Sequence, residues 1–228
     1  MNRAPRNIKA CIFDAYGTLF DVNAAARALG DELGDVWLPL AELWRARQLN
    51  YSWLRSLTGA HVDFWQVTAD ALDFVLENYK INDPALRQRL LDLYFNAACF
   101  PEVPAMLQRL KAAGLITGIL SNGAPAMLEA ACHTAGVADL LDHVISVEEI
   151  GVFKPDPRVY TLVTDRLKIP ADAVAFHSSN GWDAHAGKRS GFFSIWINRT
   201  GQPRERLPNP PDVILNDLSE VPGILGVA

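Results

Sequence analysis

An α/β fold, a Rossmann-like parallel sheet core with an inserted helical cap subdomain, is predicted by three features of the chain. From Phe100 onward, short apolar runs alternate with helical segments of about ten residues, the pattern of parallel strands joined by crossover helices. Between the first apolar run and the rest lies a stretch of roughly eighty residues with helical periodicity and no convincing strand. Polar residues gather at the carboxyl ends of the predicted strands, where open parallel sheets bind their ligands. A chain of 228 residues is long enough for one sizeable core and a smaller insertion. The division expected is a core formed by residues 1–20 and 98–228 and a cap formed by residues 21–97.

The first strand is Ala10 to Phe13, an apolar run that ends in Asp14, with Gly17 permitting a tight turn just beyond. In the insertion, Leu38, Leu40, Leu43, Trp44, Tyr51 and Leu54 recur at roughly helical spacing, and Phe64, Val67, Ala71, Phe74 and Val75 do the same. A third helix starts at Asn82-Asp83-Pro84, a cap followed by an early proline, and carries Leu86, Leu90, Leu91, Leu93 and Tyr94. In the core, helix 102–113 stops at Gly114 and leads to a strand from Leu115 to Leu120. Helix 124–135, a strand from Val144 to Val147, helix Pro157 to Leu167 and a strand from Ala173 to Phe176 follow. Trp182 to Arg189 is a helix, and Phe193 to Ile197 a strand. A proline-rich loop at 203–211, an edge strand near Val213-Ile214 and a terminal helix complete the chain.

Composition excludes several classes. Half the residues are hydrophobic and 21% are charged, an ordinary globular balance. The formal net charge of −5 argues against non-specific binding to nucleic acid or membrane. Cys11, Cys99 and Cys132 are widely spaced and show neither a disulfide framework nor a zinc pattern. The basic start Met1–Arg6 has no long apolar run after it, and no run reaches transmembrane length, so the expected compartment is the cytoplasm. His61, His133, His143 and His185 form no metal-ligand spacing.

The strand ends carry the chemistry. The first ends in Asp14, the next in Ser121-Asn122-Gly123, the loop after the third carries Lys154, and the fourth ends in Ser178, Asn180 and Asp183. Each has an ordinary structural explanation: helix caps for the serines, a solvated charge for Lys154, a first-turn carboxylate for Asp183. In a parallel sheet, however, all of them face one crevice, and Asp, Ser, Lys and Asp on one rim form a specific combination.

Asp14 in FDAYGTLFDV, Ser121 in ILSNG, Lys154 in FKPDPRVY and the SSNGWD stretch at 178–183 resemble the four motifs of the haloacid dehalogenase superfamily. The resemblance runs over nearly the whole chain. The segment Leu43–Leu57 of the insertion, the stretch Lys154–Tyr160 and the stretch Trp196–Gly201 are similar to the L-2-haloacid dehalogenases in particular.

The superfamily's phosphatases carry a second Asp two residues after the first, which protonates the leaving oxygen; here that position is Tyr16. A phenol with an unperturbed pKa of about 10 is unsuited to that task near neutral pH, whereas a departing halide needs no proton. The resemblance therefore implies a hydrolase acting on a small halogenated carboxylic acid and water, with Asp14 as nucleophile forming a covalent ester. It implies no metal and no cofactor, since Lys154 can balance Asp14 and Asp183. A Mg²⁺-dependent phosphatase of the same fold is the alternative, and a catalytically idle binding protein is a third reading that the full set of rim residues disfavours.

Further roles follow from residue chemistry and the resemblance together. Ser121 and the backbone N–H groups of Ala15 and Tyr16 are expected to hold the substrate carboxylate. Arg45 and Asn122 are expected to receive the halide, Arg because it stays charged when desolvated. Asp183, positioned by Ser178 and Asn180, is expected to orient or deprotonate the hydrolytic water. Thr18 and Tyr160 are expected to support these groups, and Tyr16, Leu49, Phe64 and Trp182 to wall the pocket. Two readings of His177 stand open: a hydrogen-bonded core histidine, or a group that tunes Asp183. A homodimer is expected from the resemblance and from exposed aromatics on the cap, with Trp53 as one candidate.

Overall fold

The computed structural model describes residues 7–227; the basic run Met1–Arg6 and the terminal Ala228 lie outside them. Six strands form one parallel sheet: β1 Ala10–Phe13, β2 Ile116–Ser121, β3 His143–Ser146, β4 Val174–Ser178, β5 Phe193–Ile197 and β6 Val213–Leu215, in the order β3-β2-β1-β4-β5-β6. The chain winds outward from β1 to β3, then returns past β1 to β4, so the winding reverses between β1 and β4. That switch point is where a doubly wound sheet opens a crevice at its strand ends, and Asp14 stands there, its N–H donating to the His177 carbonyl at 2.8 Å.

Strand β1 is buried along its length, as its unbroken apolar sequence requires. Five helices form the insertion that follows it: α1 Ala24–Ala28, α2 Gly30–Leu33, α3 Trp37–Thr58, α4 Phe64–Asn78 and α5 Pro84–Phe95. Their ends obey local chemistry. Asp63 accepts from the Gln66 N–H at 2.8 Å to start α4, and Asp83 accepts from the Ala85 and Leu86 N–H groups, with Pro84 next, to start α5. The two crossings between insertion and core run side by side: Asp21 N–H donates to the Ala98 carbonyl and Phe100 N–H to the Leu19 carbonyl, both at 2.9 Å.

The core continues with α6 Val103–Ala112, α7 Pro125–Thr134, α8 Pro157–Leu167, α9 Gly181–Arg189 and the single turn α10 Val221–Ile224. Right-handed crossovers put α6 and α7 on one face and α8 and α9 on the other. On the latter face, the Phe176 ring meets Tyr160 of α8 at 5.8 Å, and Gly187 of α9 sits so close that a Cβ there would lie 2.4 Å from the ring.

Three expectations are corrected. The terminal helix is only a turn, because Pro222 and Gly223 fall inside it. The buried stripe of α3 is Leu40, Ala41, Trp44, Gln48 and Ser52, while Leu38 and Leu54, expected on the apolar face, are exposed. Similarly, Leu93 on α5 points outward.

Candidate active site

The strand ends bring three charged groups into contact in a nearly dry setting. Lys154, 1% exposed, reaches Asp14 Oδ1 at 3.0 Å and Asp183 Oδ2 at 2.9 Å with the same Nζ. Asp183 is fully buried in the first turn of α9, and its Oδ1 accepts from the Tyr160 hydroxyl at 2.6 Å. Burial acts against the Lys154 charge, but the two carboxylates outweigh it and hold the ammonium above its ordinary pKa. Burial raises the Asp183 carboxyl above the usual carboxylate range; Lys154 opposes this and Asp14 adds to it. Tyr160 is pushed well up by burial and by the neighbouring Asp183, so it remains a proton donor to that carboxylate.

The second oxygen of Asp14 faces neutral donors. Asn180 Nδ2 donates to Oδ2 at 2.9 Å, Thr18 Oγ1 at 3.2 Å and Ser178 Oγ at 3.4 Å. This corrects the expected division of labour in part: the Ser178 and Asn180 side chains reach Asp14, and what Asn180 gives Asp183 is its backbone carbonyl, which accepts from the Asp183 N–H at 3.0 Å. The reason is the strand pleat. Phe13 pairs with His177 in the β1–β4 register, so the next residues, Asp14 and Ser178, emerge together on the opposite face. Gly17, at φ 90°, lets the loop fold back so that Thr18 lies under Asp14.

Facing this rim, α3 of the insertion supplies Arg45. Its Nη2 donates to the Tyr16 carbonyl at 3.2 Å and its Nη1 to Gln48 Oε1 at 2.7 Å. Gln48 is buried, takes a second bond from the Tyr94 hydroxyl at 3.2 Å, and donates through Nε2 to Thr68 Oγ1 at 2.6 Å. Sequence reasoning missed Gln48, Thr68 and Tyr94. The one available signal was a glutamine four residues after Trp44 on the buried face of a helix.

The remaining expected residues surround these groups. The Tyr16 ring is buried and stacked on Tyr94 at 5.4 Å, and its approach requires Gly123, where a Cβ would lie 2.8 Å from Tyr16 Cε2. Burial and Tyr94 drive the Tyr16 phenol well above its ordinary pKa, which makes it a still poorer acid. Ser121 Oγ accepts from the Gly123 N–H at 3.0 Å, leaving its own proton free to donate. Asn122 Oδ1 accepts from the Lys154 N–H at 2.9 Å, which turns its amide nitrogen away from that bond. Among the described residues, the N–H groups of Ala15 and Tyr16 have no acceptor. Leu49 is half-buried on α3, and Phe64 packs on Phe153 at 5.7 Å. Trp182 lines a cavity of about 440 Å³ with Trp53, Phe153 and Lys154. Trp53 is therefore not the exposed aromatic expected: it stands edge-on to Trp182 at 5.4 Å, across the boundary between insertion and core.

His177 belongs to the other face of the sheet. It is fully buried, stacks on Phe13 at 4.4 Å and places Nδ1 3.1 Å from the Ile12 carbonyl. Burial lowers its pKa to about 4, so it is neutral over the physiological range. Of the two readings, the geometry matches the core histidine.

A buried nucleophile-type carboxylate bridged by lysine to a second carboxylate, at the switch point of a doubly wound sheet with a helical insertion after its first strand, defines a class of hydrolase. The family model described as haloacid dehalogenase-like hydrolase matches residues 8–191, and the chain belongs to that family. (S)-2-haloacid dehalogenase 1 from Pseudomonas sp. (strain CBS-3) is 45% identical over 219 residues, 96% of each chain. The crystal structure of a dehalogenase superposes with a TM-score of 0.95 at 41% identity, covering 97% of this chain and 98% of that one. The L-2-haloacid dehalogenase from Xanthobacter autotrophicus with chloropropionic acid covalently bound superposes with a TM-score of 0.89 at 34% identity, covering 96% and 98%.

Proposed function

We propose that the protein is an (S)-2-haloacid dehalogenase, hydrolysing L-2-haloalkanoic acids to D-2-hydroxyacids and halide. The observation that carries this reading is the Lys154 ammonium bridging Asp14 and Asp183 while Tyr16 stands two residues after Asp14. The covalent complex of the Xanthobacter relative supports the same chemistry.

Asp14 attacks C2 in line, the carbon–halogen bond breaks with its electron pair leaving on the halide, and C2 inverts as the ester forms. Ser121 and the Ala15 and Tyr16 N–H groups hold the substrate carboxylate. Arg45 and the Asn122 amide receive the halide, which needs no proton. Water then adds to the aspartyl carbonyl carbon, giving up its proton to Asp183. Asp183 suits that task because its raised pKa makes it a stronger base than an ordinary carboxylate. The donors Thr18, Ser178 and Asn180, already on the Asp14 carboxylate, meet the oxyanion that develops there. Collapse re-forms the carbonyl and breaks its bond to the substrate oxygen, which takes the proton back from Asp183 and leaves as the hydroxyacid; Asp14, now carrying one oxygen from water, loses the remaining water proton to solvent. Tyr160 holds Asp183, and Tyr16, Leu49, Phe64 and Trp182 limit bulk water until the ester has formed.

A Mg²⁺-dependent phosphatase is disfavoured on the residues themselves. Lys154 Nζ already stands between the two carboxylates, and Tyr16, its phenol driven well above its ordinary pKa by burial, is a much weaker general acid for an alkoxide leaving group than a carboxylic acid at that position. Halide release from L-2-chloropropionate in EDTA tests the reading. Undiminished release is expected; no release, with EDTA-sensitive phosphate release from a generic phosphomonoester, would reverse it.

The proposal includes the cytoplasm as compartment, supported by free Cys11, Cys99 and Cys132. It also includes a homodimer, resting on exposed Leu38, Leu54 and Leu57 of α3 in place of Trp53. Sedimentation at a mass twice that of the chain is expected; a monomer would remove this part.

A further inference from the structure

Arg45 has an unusual set of partners for a cation beside an active site. Both of its acceptors, the Tyr16 carbonyl and Gln48 Oε1, are neutral. Among the described residues no carboxylate lies within salt-bridge distance of it, whereas Arg55, Arg87, Arg89, Arg158 and Arg166 are each paired with one. Its charge is fixed in position but not balanced.

The fixing is done by an oriented amide. Thr68 Oγ1 has one proton and gives it to the Phe64 carbonyl at 2.7 Å, a group that can only accept. Its oxygen must therefore accept from Gln48, which sets the Nε2 end of the amide toward Thr68. The Oε1 end is thereby turned to Arg45 and to the Tyr94 hydroxyl, both donors. Every polar atom of the Gln48 side chain is engaged and the residue is 1% exposed, so the amide cannot flip without leaving two donors facing each other. Tyr94 in turn stacks on Tyr16, the residue whose carbonyl takes the other Arg45 bond.

We propose that Gln48 is a positioning residue for the dehalogenation reaction: it aims the Arg45 guanidinium at the departing halide while leaving the positive charge free for that anion. A carboxylate at position 48 would orient Arg45 as well but would neutralise it. The inference rests on the reading of Arg45 as halide acceptor, and it assigns to the buried face of α3, α4 and α5 the task of presenting one uncompensated cation.

Two variants test it. Gln48→Met removes the acceptor at similar volume, and halide release from L-2-chloropropionate should slow roughly 10- to 100-fold, as for a misplaced reacting group. The loss should fall in kcat, with KM changed less than about twofold, because Arg45 acts on charge that appears only in the transition state. In an Arg45→Ala background the same change should cost less than about threefold, the non-additivity of residues that act as a unit. Gln48→Glu keeps the volume and, when protonated, can form every bond the amide forms. Its rate relative to the native enzyme should be low where the new carboxylate is ionised and should climb on acidification. Position 48 touches Arg45 and Tyr94, with Tyr16 stacked on Tyr94 and Asp14 within electrostatic reach of it; both phenols sit above their ordinary pKa and Asp14 is common to variant and native enzyme, so the climb in the ratio reports the new carboxyl. An equal loss in both Arg45 backgrounds, or a Gln48→Glu ratio flat with pH, would overturn the proposal. Absence of halide release from the native enzyme would instead sink the dehalogenase reading itself, so the two failures are distinct. Should Gln48→Met fail to fold, the Gln48→Glu profile decides alone.

Discussion

On the core side of the cleft, charge is met within the protein without being fully cancelled: one ammonium, Lys154, lies 3.0 Å from Asp14 and 2.9 Å from Asp183, and neutral donors fill much of the remaining acceptor capacity. On the insertion side, Arg45 is held only by a backbone carbonyl and an amide oxygen. The difference corresponds to what each side must do. A buried nucleophile has to be kept oriented and ready without its own field repelling an anionic substrate, so its charge is met internally. A halide acceptor has to have charge left over when the anion arrives, so its charge is tethered by dipoles and not cancelled. Removing groups from the two sides should accordingly fail in different ways.

The largest effect should come from Asp14→Asn. An amide oxygen is far too weak a nucleophile, so kcat is expected to fall roughly 10⁴-fold or more, on the scale seen when a covalent nucleophile is deleted. Substrate binding should persist, since the proposed carboxylate site at Ser121, Ala15 and Tyr16 is untouched; equilibrium dialysis with labelled substrate checks this. Measurable turnover with label from ¹⁸O-water entering the product directly on the first cycle would break the ester mechanism.

Lys154→Met attacks the balance itself. Asp14 and Asp183 would be left facing each other in a dry site, and breaking a buried ion pair by removing one partner costs about 3–5 kcal/mol. Urea unfolding should show that loss near neutral pH, together with a rate loss second only to that of Asp14→Asn. The pH dependence fixes the cause. Because the folded protein holds the Lys154 proton more tightly than the ordinary value of 10.5, the stabilisation is fully present below 10.5 and is lost as pH rises beyond it. The alkaline decline from Lys154 should be missing in the variant. An unchanged alkaline limb would mean that the ion pair contributes nothing to folding.

The core rim was legible in the sequence and the cap side only in part, for physical reasons. A strand's period and its apolar run fix which residue ends it, so Asp14, Ser121, Ser178 and the Lys154 loop could be placed on one rim before any contact was known. Which oxygen each donor reaches depends on the pleat and on a loop held at a positive φ by Gly17, and there the Ser178 and Asn180 side chains go to Asp14, while only the Asn180 backbone carbonyl holds Asp183. In the cap, the helices were evident but the phase of α3 was not: apolar residues surround that helix, so Leu38 and Leu54 could not be told from the buried stripe. Gln48, Thr68 and Tyr94 come from three helices, and no local pattern joins them.

Arg45→Lys tests the cap side at smaller amplitude. Lysine keeps the charge but loses the planar fork that spans the Tyr16 carbonyl and Gln48 Oε1 together. The rate should fall roughly 10- to 100-fold with little change in the urea midpoint, because the lost bonds are to neutral acceptors on a half-buried side chain. A stability loss as large as that of Lys154→Met would erase the contrast between the two sides.

The smallest effect on rate should come from His177→Val, which marks where the comparison stops. His177 is buried and titratable, yet its ring stacks on Phe13 on the sheet face opposite the Asp14 carboxylate. Its folded pKa of about 4 lies below the ordinary 6.5 because charging the ring would place an ion among apolar neighbours. With the folded pKa depressed, the unfolded chain takes up the proton first as pH falls. Stability is therefore complete above 6.5 and declines through the interval down to about 4, a difference of roughly 3 kcal/mol. In His177→Val that acid decline should flatten, whatever constant cost the smaller side chain adds at neutral pH. The pH–rate profile of halide release should superimpose on that of the native enzyme. A displaced profile would tie His177 to Asp183 through the strand and would make the sheet's far face a third side of the site.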